Sequence, residues 1–196
     1  MPGPREPLLS RLRQAFLDHG YEQMTMSGLG PMVGLTRRAL YHHFSNKEEA
    51  FRYVLGHDGN EAIEASLALG RDMLARHEPP LEIFVAVMDR RYGDNRRRLA
   101  HSPHALEIND KAFRLARDIM VGHATVFQDE VARLIGEMVD SGGFALRKGV
   151  TAAELAQMLC DAARGSNQTL PPIPIEALPT RYRLIVRAIL YGTAEA

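Results

Sequence analysis

Residues 25–47 read TMSGLGPMVGLTRRALYHHFSNK, and they parse as helix, tight turn, helix and the start of a third helix. Thr25 and Ser27 both suit a helix N-cap, because a short side-chain oxygen accepts from the free N–H groups of a first turn. Gly34 falls where a short connection needs positive φ, which glycine adopts without steric cost. Thr36 is placed to cap a second short helix, Arg37 to Phe44. Ser45 with Glu48 three residues on has the spacing of a capping box for a third. Two arginines open the second helix. This is the layout of a helix-turn-helix, a motif whose second helix enters the DNA major groove.

The same residues carry a resemblance. Leu29, the turn Val33-Gly34-Leu35-Thr36 and the run Leu40-Tyr41-His42-His43-Phe44-Ser45-Asn46-Lys47-Glu48 resemble the DNA-binding domain of the tetracycline-repressor (TetR) family, over roughly residues 7–56. LYHHFSNKEE is the specific part, joining an aromatic recognition helix to a lysine-started fourth helix. The resemblance implies that Thr25, Thr36, Tyr41 and Lys47 touch the DNA backbone and that Arg37, Arg38 and His42 read bases. Arginine pairs bidentately with guanine O6 and N7, and phosphate contacts fix register. The chain departs from the family at Gly30 and Val33, where alanines are usual, at Pro31, and at Arg38, where glycine is frequent. Proline inside a helix removes a backbone bond and clashes four residues back, and Gly28 and Gly30 add propensity cost. The first helix of the motif is therefore expected to be short, irregular or partly 3₁₀.

Outside this stretch the chain reads as all-α. Residues 1–6, with two prolines and a glycine, read as a loose arm. A helix from Pro7 to His19 carries Leu8, Leu12, Ala15 and Phe16 on one face, and with Leu29, Val33, Leu40 and Phe44 it makes the core of a three-helix head. Helix 4 is expected from Asn46 to about Leu55, ended by Gly56 and Gly59. Further helices are expected over about 60–76 and 81–92. Residues 93–104 (GDNRRRLAHSPH) read as a polar connection. Over about 109–140, Phe113, Ala116, Met120, His123, Phe127, Val131, Leu134 and Met138 recur at spacings of three and four, the pattern of one long amphipathic helix or two joined near Gly122. Thr151 with Glu154 forms another capping box, and after a proline-rich stretch a last helix, Thr180–Tyr191, presents Leu184, Ile185, Ala188 and Ile189. The domain reading is residues 1–56 as the helix-turn-helix domain and residues 57–196 as a helical effector-binding and dimerisation domain.

Composition bounds the function. The 196 residues carry 24 Lys+Arg against 24 Asp+Glu, which argues against a protein that coats nucleic acid indiscriminately. Residues 1–47 hold Lys/Arg at 5, 11, 13, 37, 38 and 47 against acids at 6, 18 and 22, so the basic end coincides with the motif. No apolar run approaches the roughly 20 residues that span a bilayer, no signal peptide opens the chain, and the expected compartment is the cytoplasm. The one cysteine, Cys160, rules out an internal disulfide or a cysteine-based zinc site. No G-x-S-x-G, P-loop or zinc pattern occurs; neither an enzyme nor a cofactor is expected.

Three clusters remain. His101, His104 and Glu107 have ligand-like spacing, but a proline interrupts them, and they read as a loop-to-helix entry rather than a metal site. Arg96-Arg97-Arg98, near Arg90 and Arg91, reads as a solvated basic loop. His123 on an apolar stripe is either a buried histidine satisfied by a carbonyl or a polar handle in a ligand cavity. In the second case Phe84, Met88, Phe113, Met120 and Phe127 are its companions, with methionine suited to varied hydrophobes. By the resemblance, the body binds a small-molecule effector, and helices 152–165 and 180–191 pair with their copies in a homodimer. The expected function is a ligand-responsive repressor on a palindromic operator. An activator or ligand-independent DNA-binding protein of the same fold, or a small-molecule-binding protein with a non-functional head, stays open at this point.

Overall fold

The computed structural model describes residues 6–193; the N-terminal arm expected at residues 1–6 lies, up to residue 5, outside them. The order of elements is α1 (Glu6–His19), α2 (Met26–Val33), α3 (Arg37–His43), α4 (Lys47–Ala75), α5 (Pro80–Met88), a π-helical turn (Asp89–Gly93), α6 (Asp94–Ala100), α7 (Ala105–Leu115), α8 (Arg117–Asp140), α9 (Ala152–Ser166), a 3₁₀ turn (Ile175–Ala177) and α10 (Leu178–Thr193). No β-strand forms among the described residues. The fold is all-α. No described helix is long and apolar enough to cross a membrane.

The chain forms two compact units. One comprises the residues up to Asn60 together with Arg98–Gly122, and the other Glu61–Arg97 together with the residues from His123 onward. A single cut at 56/57 would instead leave residues 98–122 with the C-terminal helices. They join the first unit because Leu99, Ile108 and Ala112 are buried in its core. That core holds Leu12, Ala15, Phe16, Leu29, Val33, Leu40 and Phe44 as expected, with Tyr21, Met24, Ala50, Phe51 and Val54 added; Leu8 is only partly buried against it. Phe51 meets Phe16 edge to face at 5.1 Å and Tyr21 at 5.0 Å. Such aromatic pairs add to the stabilisation from burial alone.

Three boundaries differ from the sequence reading, each for a local reason. Helix α4 runs unbroken to Ala75 instead of ending near Gly56. A glycine in a helix costs only ~1 kcal/mol, and the burial of Ile63 and Leu67 beyond it outweighs that. The expected polar loop 93–104 is the end of the π turn followed by α6, drawn into helix by ion pairs of Arg97 with Asp89 and Asp94 and of Arg98 with Asp58. The long periodic segment breaks at Ala116, not near Gly122. Arg52 donates to the last carbonyl of α7, at Leu115, and pairs at 2.6 Å with Asp118 in the first turn of α8. The carboxylate of Asp118 also sits at a helix N-terminus, where negative charge is favoured.

The second unit is built on Ile83, Phe84, Val87 and Met88 of α5, Phe127, Val131, Leu134, Ile135 and Met138 of α8, and faces of α9 and α10. The capping box at Thr151 and Glu154 forms, with both reciprocal bonds present. In α10 the buried stripe is Leu178, Tyr182, Val186 and Leu190, one step round the helix from the stripe expected. Tyr182 decides the rotation: its ring is fully buried and its hydroxyl donates to Asn167 at 2.9 Å. Leu184 is left 59% exposed.

Candidate nucleic-acid interface

Helices α2 and α3 are joined by Gly34, whose φ of 73° and ψ of 27° place it in the left-handed region that closes helix C-termini. Its N–H and that of Leu35 satisfy the carbonyls of Pro31 and Gly30. A Cβ at Gly34 would lie 2.6 Å from Nη1 of Arg11, and that nitrogen donates to the Val33 carbonyl at 3.0 Å. Arg11 of α1 therefore pins the turn from behind, a role its sequence position does not announce. Thr25, not Ser27, caps α2, accepting from the Gly28 N–H at 3.1 Å. Thr36 caps α3, accepting from Ala39 at 3.2 Å.

Pro31 does not make α2 irregular or 3₁₀. The helix is short, at 8 residues, but α throughout. Pro31 is exposed, so the carbonyl that loses its partner is on the watered side, where the cost is smallest. Gly30 has its own reason: a Cβ there would stand 3.0 Å from the Leu35 carbonyl oxygen, so the close approach of helix and turn favours glycine.

Helix α3 buries Leu40 and exposes Arg37, Arg38, Tyr41, His42 and His43. The Arg37 guanidinium lies 5.6 Å from the centre of the Tyr41 ring, which is itself 43% exposed. The helix contains no acidic residue. Its two arginines sit in the first turn, where the positive end of the helix dipole opposes cations. A polyanion facing that turn would relieve the opposition.

Lys47, placed among the backbone-contacting residues by the resemblance, is already engaged. Its Nζ donates to the carbonyls of Tyr21 at 3.0 Å and Glu22 at 3.2 Å and lies 4.4 Å from the centre of the Tyr21 ring. The cap of α4 is also shifted by one residue from the Ser45–Glu48 pairing expected. Asn46 Oδ1 accepts from the Glu49 N–H at 2.9 Å, while the Ser45 N–H and hydroxyl donate to the Glu49 carboxylate. Those two bonds hold the Glu49 carboxyl below the usual carboxylate range.

A profile of the bacterial regulatory proteins of the tetR family matches residues 8–54, the segment that folds into this capped, arginine-bearing helix-turn-helix. Residues 8–54 thus carry a DNA-binding domain of the tetR-family type. Over 79 residues the chain is 38% identical to the HTH-type transcriptional repressor AcnR of Corynebacterium diphtheriae, covering 38% of this chain and 42% of that one. Over 80 residues it is 32% identical to the HTH-type transcriptional repressor BepR of Brucella suis, covering 41% and 37%. The chain thus matches less than half the length of these relatives. Whole-chain likenesses are structural. A TetR-family regulator from Mesorhizobium loti superposes with a TM-score of 0.72 at 13% identity, covering 96% of both chains. SmeT, the repressor of a Stenotrophomonas maltophilia multidrug efflux pump, does so with 0.67 at 20%, covering 98% and 91%. At such identities the likeness establishes the fold alone.

The other residues singled out from the sequence are dispersed. Phe84, Met88 and Phe127 are buried together in the second unit's core, and His123 of that unit is half-buried. Phe113 and Met120 do not join them. Phe113 is 51% exposed on α7, and Met120 packs against the first unit's core. The break at Ala116 rotates α7 out of the register that a single long helix would have kept. His104 Nδ1 lies 3.3 Å from Glu107, whose other oxygen accepts from the Glu22 N–H at 2.6 Å. These residues tie α7 to the α1–α2 connection, and among the described residues no group of three or more His, Cys, Asp or Glu is arranged to hold a metal ion.

Proposed function

We propose that the chain is a ligand-responsive transcriptional repressor that binds a palindromic operator as a homodimer and is released by a small-molecule effector. The observation that carries the reading is the acid-free, exposed face of α3 with Arg37, Arg38, Tyr41 and His42 on a turn pinned by Gly34 and Arg11. In this reading Arg37, Arg38 and His42 read base edges, while Tyr41 and the capped N-termini at Thr25 and Thr36 meet phosphates. Lys47 contributes its charge to the same surface while holding the α1–α2 connection.

Dimerisation is assigned to α9 and α10. Met158, Leu184 and Tyr191 are large apolar side chains left outward there, on helices whose other faces are buried, and a second copy would cover them. A two-fold pair would set recognition helices one DNA turn, about 34–36 Å, apart. The effector is assigned to the second unit, where Phe84, Met88 and Phe127 cluster near α8, the helix that carries His123. SmeT, similar in fold, has a triclosan complex, so an aromatic ligand is compatible with this architecture. The effector acts by population shift, weakening DNA binding by at most its own differential affinity for the two states. Helix α4, uninterrupted and contributing to both cores, is the proposed lever.

The test is nuclease protection of the DNA upstream of the chain's own coding segment. A protected, two-fold-symmetric site supports the reading; the absence of any protected site there or at other candidate promoters contradicts it.

A further inference from the structure

The π turn that follows α5 places Arg91 in an aromatic corner of the second unit. Its guanidinium carbon lies 5.3 Å from the centre of the Tyr92 ring and 5.5 Å from that of Phe127, and the two rings meet edge to face at 5.8 Å. The Arg91 Nε is buried and makes no hydrogen bond. Of the arginines around it, Arg90 pairs with Asp94 and Arg97 with Asp89 and Asp94, while Arg96 donates through Nη2 to the Ile173 carbonyl at 2.9 Å and its Nη1, like the Arg91 Nε, is buried without a hydrogen bond. Beside Arg91 stand Cys160 and Arg164 of α9. Burial pushes the Cys160 thiol and the Tyr92 hydroxyl up to about 12, so neither is an anion near neutral pH. Arg164, paired with Asp161 at 3.2 Å and hydrogen-bonded to the Tyr92 hydroxyl, adds a second cation.

A buried guanidinium without a counter-charge is costly, and π turns recur at functional sites. The orphaned Nε–H and the adjacent Nη–H form one edge of a planar fork, an edge that two carboxylate oxygens match bidentately. The rings beside it are aromatic, and Phe127 belongs to the same buried core as Phe84 and Met88. We propose that Arg91, with Arg164 beside it, recognises the effector, and that the effector is an organic monocarboxylate with an apolar body. This rests on the effector-responsive reading above and names the ligand class of that site.

The experiment follows thermal unfolding of the full chain with sodium benzoate or sodium octanoate, against sodium chloride of equal ionic strength and the two uncharged amides. The carboxylates are expected to raise the wild-type Tm by about 2–4 °C, and the amides to leave it unchanged. Arg91→Met, which keeps length and apolar contact, is expected to unfold at or above the wild-type temperature without additive and to lose the carboxylate shift. Arg91→Lys, which keeps the charge but not the fork, is expected to retain less than half of the shift. A wild type that neither carboxylate stabilises overturns the proposal. So does an equal shift from the amides, or an undiminished shift in both variants. Operator binding by the same samples separates the two readings. DNA binding without any carboxylate response removes the Arg91 site and leaves the regulator, and a carboxylate response without DNA binding does the reverse.

Discussion

Lys47 shows how far a side chain's place in the sequence can conceal its partners. Its ammonium spends two of three donors on the Tyr21 and Glu22 carbonyls and faces the Tyr21 ring. Hydrogen bonds from charged donors are worth about 1.5–3 kcal/mol when buried, less at a half-exposed site. Lys47→Met is therefore predicted to lower stability by about 1–2 kcal/mol, seen as a reduced urea midpoint at unchanged m-value. Unchanged stability with a large loss of DNA affinity would make Lys47 a phosphate contact instead. Gly34 gives a second outcome of the same kind. Alanine there must adopt positive φ and meet Arg11 at 2.6 Å. Left-handed backbone alone costs roughly 1–2 kcal/mol outside glycine, so Gly34→Ala is predicted to lower the Tm and weaken DNA binding together. A variant as stable as wild type would show that the turn is not pinned.

Among the helices, what was legible and what was not divides along the kind of interaction. The α2–turn–α3 unit is written in local chemistry: two threonine caps, a left-handed glycine and a buried leucine stripe, all within one short stretch. Its structure follows the reading in the two threonine caps, the left-handed Gly34 and the buried leucines, while α2 is regular α-helix where Pro31 and the glycines predict an irregular or 3₁₀ one. The α7–α8 break is not local. It is made by Arg52, whose partners Leu115 and Asp118 are more than sixty positions away, and no periodicity in 109–140 reveals it. The same holds for the rotation of α10, set by Tyr182 and Asn167. The break is also why Phe113 and Met120 fall outside the candidate pocket. The Arg52 pairing has a pH signature. The guanidinium, chiefly through its hydrogen bonds, holds the Asp118 carboxyl down to about 2. A depressed carboxyl contributes stability above its ordinary value, near 3.8, and loses it as pH falls through about 2. Arg52→Met is predicted to flatten the decline in stability between pH 4 and 2, measured by urea unfolding. An acid limb identical to wild type would place the ion pair outside the folding balance.

The whole molecule can act as proposed only in two copies. Leu184 and Tyr191 are 59% and 65% exposed on a helix whose opposite face is buried, and the proposal covers them with a partner. Leu184→Glu is predicted to give monomers in sedimentation at micromolar concentration and to reduce operator affinity at least tenfold, since each half-site would then be bound alone. Dimers undisturbed by a buried carboxylate would place the interface elsewhere. The modest positive charge of residues 1–47 inside a chain of balanced charge fits a molecule that meets DNA with one surface and binds it at selected sites.

Whether α3 is the reading helix is settled by fluorescence anisotropy on the protected upstream duplex, comparing wild type with Arg38→Ala across a salt series. Arg38 is exposed on α3, so its removal should leave the Tm unchanged. The expected result is salt-sensitive wild-type binding that the substitution weakens by about 1–3 kcal/mol, with most of the loss at one guanine-containing position of the half-site. Equal affinity of wild type and Arg38→Ala for the duplex at every salt concentration would contradict α3 as the reading helix.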